Sequence, residues 1–157
     1  MSTNVVKTQF RHQFRRLAEQ LGFTNHNIGF FKKIQKHNVE MVIVLRLLNS
    51  RWSNGFDAWT YVFADGLFGR KIVVDRSIFA LPCAFARVEQ SEFGVVFDLD
   101  SSLSLDKRTE KLELFFQTIV IQVESLIVSV GFAEVANQAL GRITPPVRAE
   151  LERLGVW

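Results

Sequence analysis

Apolar residues at Val6, Phe10, Phe14, Leu17 and Leu21 recur at spacings of four, four, three and four. That is the period of one helix face, and Gly22 follows where a helix C-cap belongs. Lys7, Arg11 and Arg15 also run at spacing four, with Arg16 beside them. The helix is therefore expected to dock on one side and to be cationic on another. The period then shortens: Ile28 to Lys36 alternates loosely, and Lys36-His37-Asn38 offers a turn. Val39, Met41, Ile43, Leu45 and Leu47 place an unbroken apolar row on one face of a long strand. The opposite row (Glu40, Val42, Val44, Arg46, Leu48) is mixed, which predicts a face at most partly covered. Ser53-Asn54-Gly55 signals a turn, because Asn-Gly accepts positive φ. Trp59, Tyr61 and Phe63 then share one face of a returning strand, broken by Asp65-Gly66 and Gly69.

Ile72 to Val74 reads as another extended piece, and Pro82 restricts Arg76 to Val88 to an edge strand or a loop. Phe93, Val95, Phe97 and Leu99 alternate with Gly94, Val96, Asp98 and Asp100, which predicts a last strand with one apolar face. From Ser104 the helical period returns at Leu105, Leu112, Phe116, Ile119, Val123, Ile127 and Val130. Ser104 serves as the cap, and the early acids Asp106, Glu110 and Glu113 suit a helix N-terminus. Gly131 stops that helix, a short one follows over Glu134 to Leu140, and Thr144-Pro145-Pro146 opens a final helix to Leu154. The order predicts an α+β fold in one domain over 1–157. An antiparallel sheet of about four to six strands would pack against the N-terminal helix and the long C-terminal one, with one or two short helices after it.

Composition narrows the class. A hydrophobic share of 48% and fifteen Phe mark a globular chain, and a single cysteine excludes an internal disulfide. Both agree with a cytoplasmic protein. Met1 to Leu21 is basic and amphipathic, like a mitochondrial presequence, but its stripe runs directly into the ordered part of the chain. Phe115 to Phe132 is apolar enough to suggest a membrane span, yet Glu124, Gln117 and Gln122 sit near its middle, so a buried helix is expected and no membrane.

Charge is divided along the chain. The first 51 residues hold nine Lys and Arg against two acids, and the remainder holds ten against fourteen. A net of +7 thus adjoins a net of −4, which suggests an acidic or polyanionic partner for the N-terminal third. Motifs for chemistry are weak by comparison. No Gly-x-Ser-x-Gly elbow occurs, and Cys83 lies among Pro82, Leu81, Ala84 and Phe85, which raise a thiol pKa. His12, His26 and His37 are scattered, without metal-ligand spacing, so no metal is expected. Gly66-Leu67-Phe68-Gly69-Arg70-Lys71 lacks the Gly-Lys-Ser/Thr ending of a phosphate loop. Glu124 is compatible with burial at raised pKa, with pairing to a Lys or Arg, or with the solvent seam of its helix, the last being the expectation.

A helix closing on Leu21-Gly22-Phe23, then Phe30-Phe31-Lys32-Lys33, then an apolar strand ending in Leu48-Asn49-Ser50-Arg51-Trp52, resembles the bacterial DUF4304 domains over roughly residues 1–70. Those domains show a helix, Gly-Phe, an aromatic followed by a basic residue, and a strand ending near Gln-x-Ser. This chain has Leu48 where the Gln is expected and lacks the Gly-rich strand end. The resemblance implies an α+β, non-enzymatic bacterial protein and, by analogy, a role beside contact-dependent toxin systems.

The expected function is binding of another macromolecule without a cofactor, and not catalysis. Its contact surface would combine Lys7, Arg11, Arg15, Lys32 and Lys33 with a hairpin tip formed by Arg51, Trp52 and Trp59. The partner would be another protein, an acidic toxin surface in the immunity-like version. Nucleic acid on the same cations is the first alternative. An enzyme with Asp57, Asp65, Asp98 and Asp100 converging in a pocket is the second.

Overall fold

The computed structural model describes residues 3–90 and 93–157, with side chains from Val5 onward. Met1 and Ser2, which open the basic amphipathic stretch, lie outside the described residues. The architecture is α+β. Helix α1 (Thr3–Gln20) leads into β1 (Thr24–Asn25), β2 (Phe30–Lys36), β3 (Val39–Asn49), β4 (Phe56–Ala64) and β5 (Phe85–Val88). Every pairing is antiparallel and the spatial order is β1-β2-β3-β4-β5, a meander. After it come a helical turn α2 (Gly94–Phe97), the long helix α3 (Leu105–Ser129), and the short helices α4 (Phe132–Asn137) and α5 (Pro145–Leu154).

The local signals that placed these elements are visible in the backbone. Gly22 closes α1 at φ 91°, and the Phe23 amide donates to the Ala18 carbonyl at 3.1 Å. His37 and Asn38 both take positive φ, which is the mirror-type turn that matches strand twist between β2 and β3. The Ser104 hydroxyl accepts the Lys107 amide at 3.3 Å and caps α3.

The core-facing row of the sheet packs beneath α1 and α3. Phe97 of α2 sits where they meet, 5.7 Å from the Phe10 ring, 6.5 Å from Phe14 and 5.2 Å from Phe115. Phe14 and Phe116 join the two helices directly at 4.9 Å. Adjacent Phe115 and Phe116 are both buried because a stretch of π-helix, Phe116–Ile121, widens α3 there and turns both rings inward. α3 is long and apolar enough to cross a membrane by length and composition. In this fold one side of it, including Leu112, Ile119, Val123 and Ile127, is buried in the core. Leu114, Ile121 and Val128 stay exposed, so the expected buried helix is buried on one side only, and Leu105 and Val130 drop out of its core row.

Two further expectations fail, at Ile72 to Val74 and at 93–99. The mixed face of the sheet is partly covered, as expected: Val42, Val44 and Phe63 pack with Ile78 beneath the loop that carries Ile72, Val74, Phe79, Leu81 and Cys83, while Glu40 stays exposed. That loop takes the place of the extended piece expected over Ile72 to Val74, while β5 is the edge strand that Pro82 allowed. The last strand, expected over 93–99, is a helical turn. Phe93, Val96 and Phe97 are buried and Val95 is exposed, a spacing of three and one. Period 2 and period 3.6 both put Phe93 and Phe97 on one face, so four residues did not separate them.

Because Phe97 lies at that junction, Phe97→Ala is expected to cost about 3–5 kcal/mol in chemical denaturation. Val95→Ala is expected to stay within about 0.5 kcal/mol. A large loss at Val95 would instead mean that it shares the core face, as a strand requires.

Candidate functional site

The sequence-predicted cations separate into two groups. Lys32 lies on the core face of β2, and its Nζ donates to Glu124 Oε2 of α3 at 2.9 Å beside the Phe23 ring. Glu124 therefore pairs with a lysine and is not the solvent seam of its helix. Lys36, next along that face, reaches the Val128 carbonyl at 3.3 Å, so both lysines bury their stems and tie β2 to α3. Lys33 points to the opposite face and pairs with Glu40 at 3.5 Å. Lys32 and Lys36 are part of the packing, whereas the Lys33 pair is exposed.

Lys7, Arg11, Arg15 and Arg16 remain on α1. The Arg15–Glu19 pair, 2.7 Å long, is the one ion pair among the described residues of this helix. Arg11 stands at a junction. Its guanidinium lies 4.9 Å from the Phe56 ring centre, with Lys7 Nζ at 5.9 Å, and its Nη2 donates to Asn49 Oδ1 at 3.2 Å. Phe56 opens β4 and Asn49 closes β3, so α1 crosses the base of the β3–β4 hairpin. The hairpin tip projects from this base. Arg51 is exposed and Trp52 is 93% exposed.

The tip is held from below. The Ser50 hydroxyl accepts the amides of Trp52 and Ser53, at 3.2 and 3.3 Å. Asn54 Nδ2 donates to Asp100 Oδ1 at 3.1 Å, and the Leu99 amide donates to the Asn54 carbonyl at 3.0 Å. Neither Asn54 nor Gly55 takes positive φ, against the expectation. Gly55 is needed for proximity: it bridges to Asp98, and a Cβ on it would overlap the Phe97 carbonyl oxygen. Segment 95–101 is in turn clamped by Arg108, whose Nη1 donates to the carbonyls of Val95, Val96 and Asp98 at 3.1, 2.6 and 3.0 Å. Its Nη2 reaches Ser101 Oγ at 3.0 Å. Arg108 was missed in the sequence, although its spacing of four from Leu112 put it on the buried stripe.

Trp59 is not part of the tip. It stands opposite Arg46 on the other face of the sheet, stacked at 5.5 Å and 9° on Tyr61, which continues to Phe63 and Phe79. Arg46 lies 4.4 Å over Phe79. Burial holds the Tyr61 phenol above its usual value, partly offset by Arg46, and raises the half-buried Cys83 thiol likewise. Two of the acids of the enzyme alternative are far apart. Asp57 and Asp65 stand at opposite ends of β4, about 26 Å apart at strand rise. Asp98 and Asp100 lie in the loop after α2, where Asp98 Oδ1 accepts the Asp100 amide.

Beside the Arg11 junction, α1 and the β1–β2 turn enclose a cleft of about 270 Å³. Arg11, His12 and Arg15 form one wall, and Asn25 and Asn27 the other. Its cue in the sequence was His12 between two arginines on one helical wall. Comparison with known protein families, curated proteins and solved structures finds no significant match, so the site is interpreted from its own chemistry.

Arg108→Met takes the donor from the Val96 carbonyl and one of two donors from those of Val95 and Asp98, and is expected to cost about 3 kcal/mol by urea denaturation. For Cys83 and Tyr61 the folded chain keeps a proton that the unfolded chain has already lost. Stability is therefore expected to fall as pH rises past 9.0 for the thiol and 10.0 for the phenol. Melting temperature against pH, with Cys83→Ala removing the earlier part of the fall, checks this.

Proposed function

We propose that this chain is a macromolecule-binding domain whose contact surface joins the cations of α1 to the tip of the β3–β4 hairpin. One observation carries the proposal. Arg11 touches both Phe56 and Asn49, which sets Lys7 and Arg11 beside the base of the hairpin whose tip carries Arg51 and Trp52. Among the described residues no acid forms an ion pair with Lys7, Arg11, Arg16 or Arg51. An almost fully exposed indole next to a guanidinium without an ion pair suits an anchor that becomes buried in a partner. Cations around such an anchor match a protein that presents acidic side chains, steering the approach while the indole supplies contact area.

The proposed surface is smaller than the one expected from sequence. Lys32 is spent within the fold, and Lys33 and Trp59 lie on the other side of the sheet. A second reading, single-stranded nucleic acid, is favoured by the exposure of Trp52 beside Arg51, since an indole face accepts any base.

Affinity capture with nuclease-treated extract should recover an acidic protein, with recovery lost at least tenfold in both Arg51→Ala/Trp52→Ala and Lys7→Ala/Arg11→Ala. Unchanged recovery in either double variant would remove that half of the surface. A labelled single-stranded oligonucleotide serves as the comparison, and its binding would have to fall steeply with salt to favour nucleic acid.

A further inference from the structure

We propose that the cleft between α1 and the β1–β2 turn binds a phosphate monoester attached to a small ring. This goes beyond the macromolecule-binding proposal and does not depend on it. The cleft has donors on both sides. On α1, Arg11 and Arg15 stand one turn apart, with His12 between them on the same wall. The Arg15 bond to Glu19 uses Nε, which leaves both terminal nitrogens as a fork. The Arg11 bond to Asn49 uses Nη2, which leaves Nε and Nη1. Across the cleft, Asn25 Oδ1 already accepts the Asn27 amide at 2.9 Å, so its NH₂ group is what remains for a ligand.

No carboxylate lines this space. One guanidinium fork, the remaining N–H groups of a second guanidinium, an imidazole and an amide NH₂ offer more donors than the two oxygens of a carboxylate can use. A phosphate monoester brings three terminal oxygens and a charge of about −1.5 to −2, which matches the set. The remaining lining is apolar, from Ile28, Phe30 and Leu47, and gives a flat group somewhere to rest. Size sets the upper limit. At about 270 Å³ the cleft lies just under the roughly 300–1,000 Å³ of drug-sized sites, room for one phosphate and one ring system and too little for a dinucleotide. The far wall is fixed, because Gly29 is buried with its Cβ position 2.8 Å from the Leu45 carbonyl oxygen.

The same chemistry is found at a nucleotide 5′ end and on a phosphorylated aromatic side chain, and calorimetric titration separates them. The probes are inorganic phosphate, adenosine 5′-monophosphate, phosphotyrosine and acetate. At least one ring-bearing ester should bind saturably, with a dissociation constant below about 1 mM and at least tenfold tighter than inorganic phosphate. Whichever ester binds tighter identifies the source. Arg15→Ala and His12→Ala should each weaken binding at least fivefold. Arg16→Ala, which removes the same charge outside the cleft, should change it less than twofold, and so should Trp52→Ala. All four positions are exposed, and matching circular dichroism and melting curves exclude misfolding. Three outcomes overturn the proposal: no saturable binding, acetate matching the esters, or equal losses in Arg15→Ala and Arg16→Ala. The Trp52 variant keeps the two proposals apart, since partner capture depends on it and ester binding does not.

Discussion

The ring and the carbonyl of Phe97 act on different elements. The ring lies among Phe10 and Phe14 of α1 and Phe115 of α3, so one side chain joins both helices. The carbonyl oxygen sits where a Cβ of residue 55 would be, so the hairpin approaches only because that residue is glycine. Arg108 keeps the segment in place by donating to the Val96 carbonyl and by adding a second donor to those of Val95 and Asp98, which Ser101 also serves. A buried cation is tolerable there because its hydrogens meet oxygens, and because Asp98 partly offsets the burial that pulls the guanidinium pKa down. The placement of α1, and so of every cation on it, follows from this junction.

The cations differ in what the fold asks of them. Lys32, Lys36 and Arg108 each reach an acceptor on another element and hold β2, α3 or the loop after α2. Lys7 and Arg11 cover the Phe56 ring and keep their charge toward solvent, while Arg15 is held by Glu19 in an exposed pair one helical turn away. Exposed pairs of this kind contribute little to stability, so Arg15 is available to a ligand at small cost. The positive charge of the N-terminal third is thus partly absorbed on β2 and concentrated on α1. There it borders both the cleft and the hairpin tip.

Much of this was legible in the residues. The stripe from Phe10 to Leu17, the Gly22 cap, the His37-Asn38 turn, the apolar rows of β3 and β4 and the Ser104 cap each rest on near neighbours in sequence. The α+β layering follows from their order. The candidate site was legible in half. Arg11 reaches the base of the hairpin at Asn49 and Phe56, whereas Trp59 lies on the other face of the sheet, which its distance in sequence from the tip does not show. It faces the other way for a simple reason, since strand residues alternate and Trp59 is one step out of phase with Phe56.

Periodicity by itself determined which face of each long element is apolar, because that depends on backbone geometry within the element. It also determined where charge accumulates along the chain. What covers each face was decided only when distant segments met. Glu124 found Lys32 from 92 positions away, and the loop over Ile72 to Cys83 covered Val42, Val44 and Phe63 on the mixed face of the sheet. The segment after Phe93 became a helical turn because four residues satisfy both periods, and packing among the phenylalanines selected one. The cleft belongs to the same class. Its two walls are separate in sequence, and the close approach at Gly29 fixes the β1–β2 turn against β3, where it faces the arginines of α1.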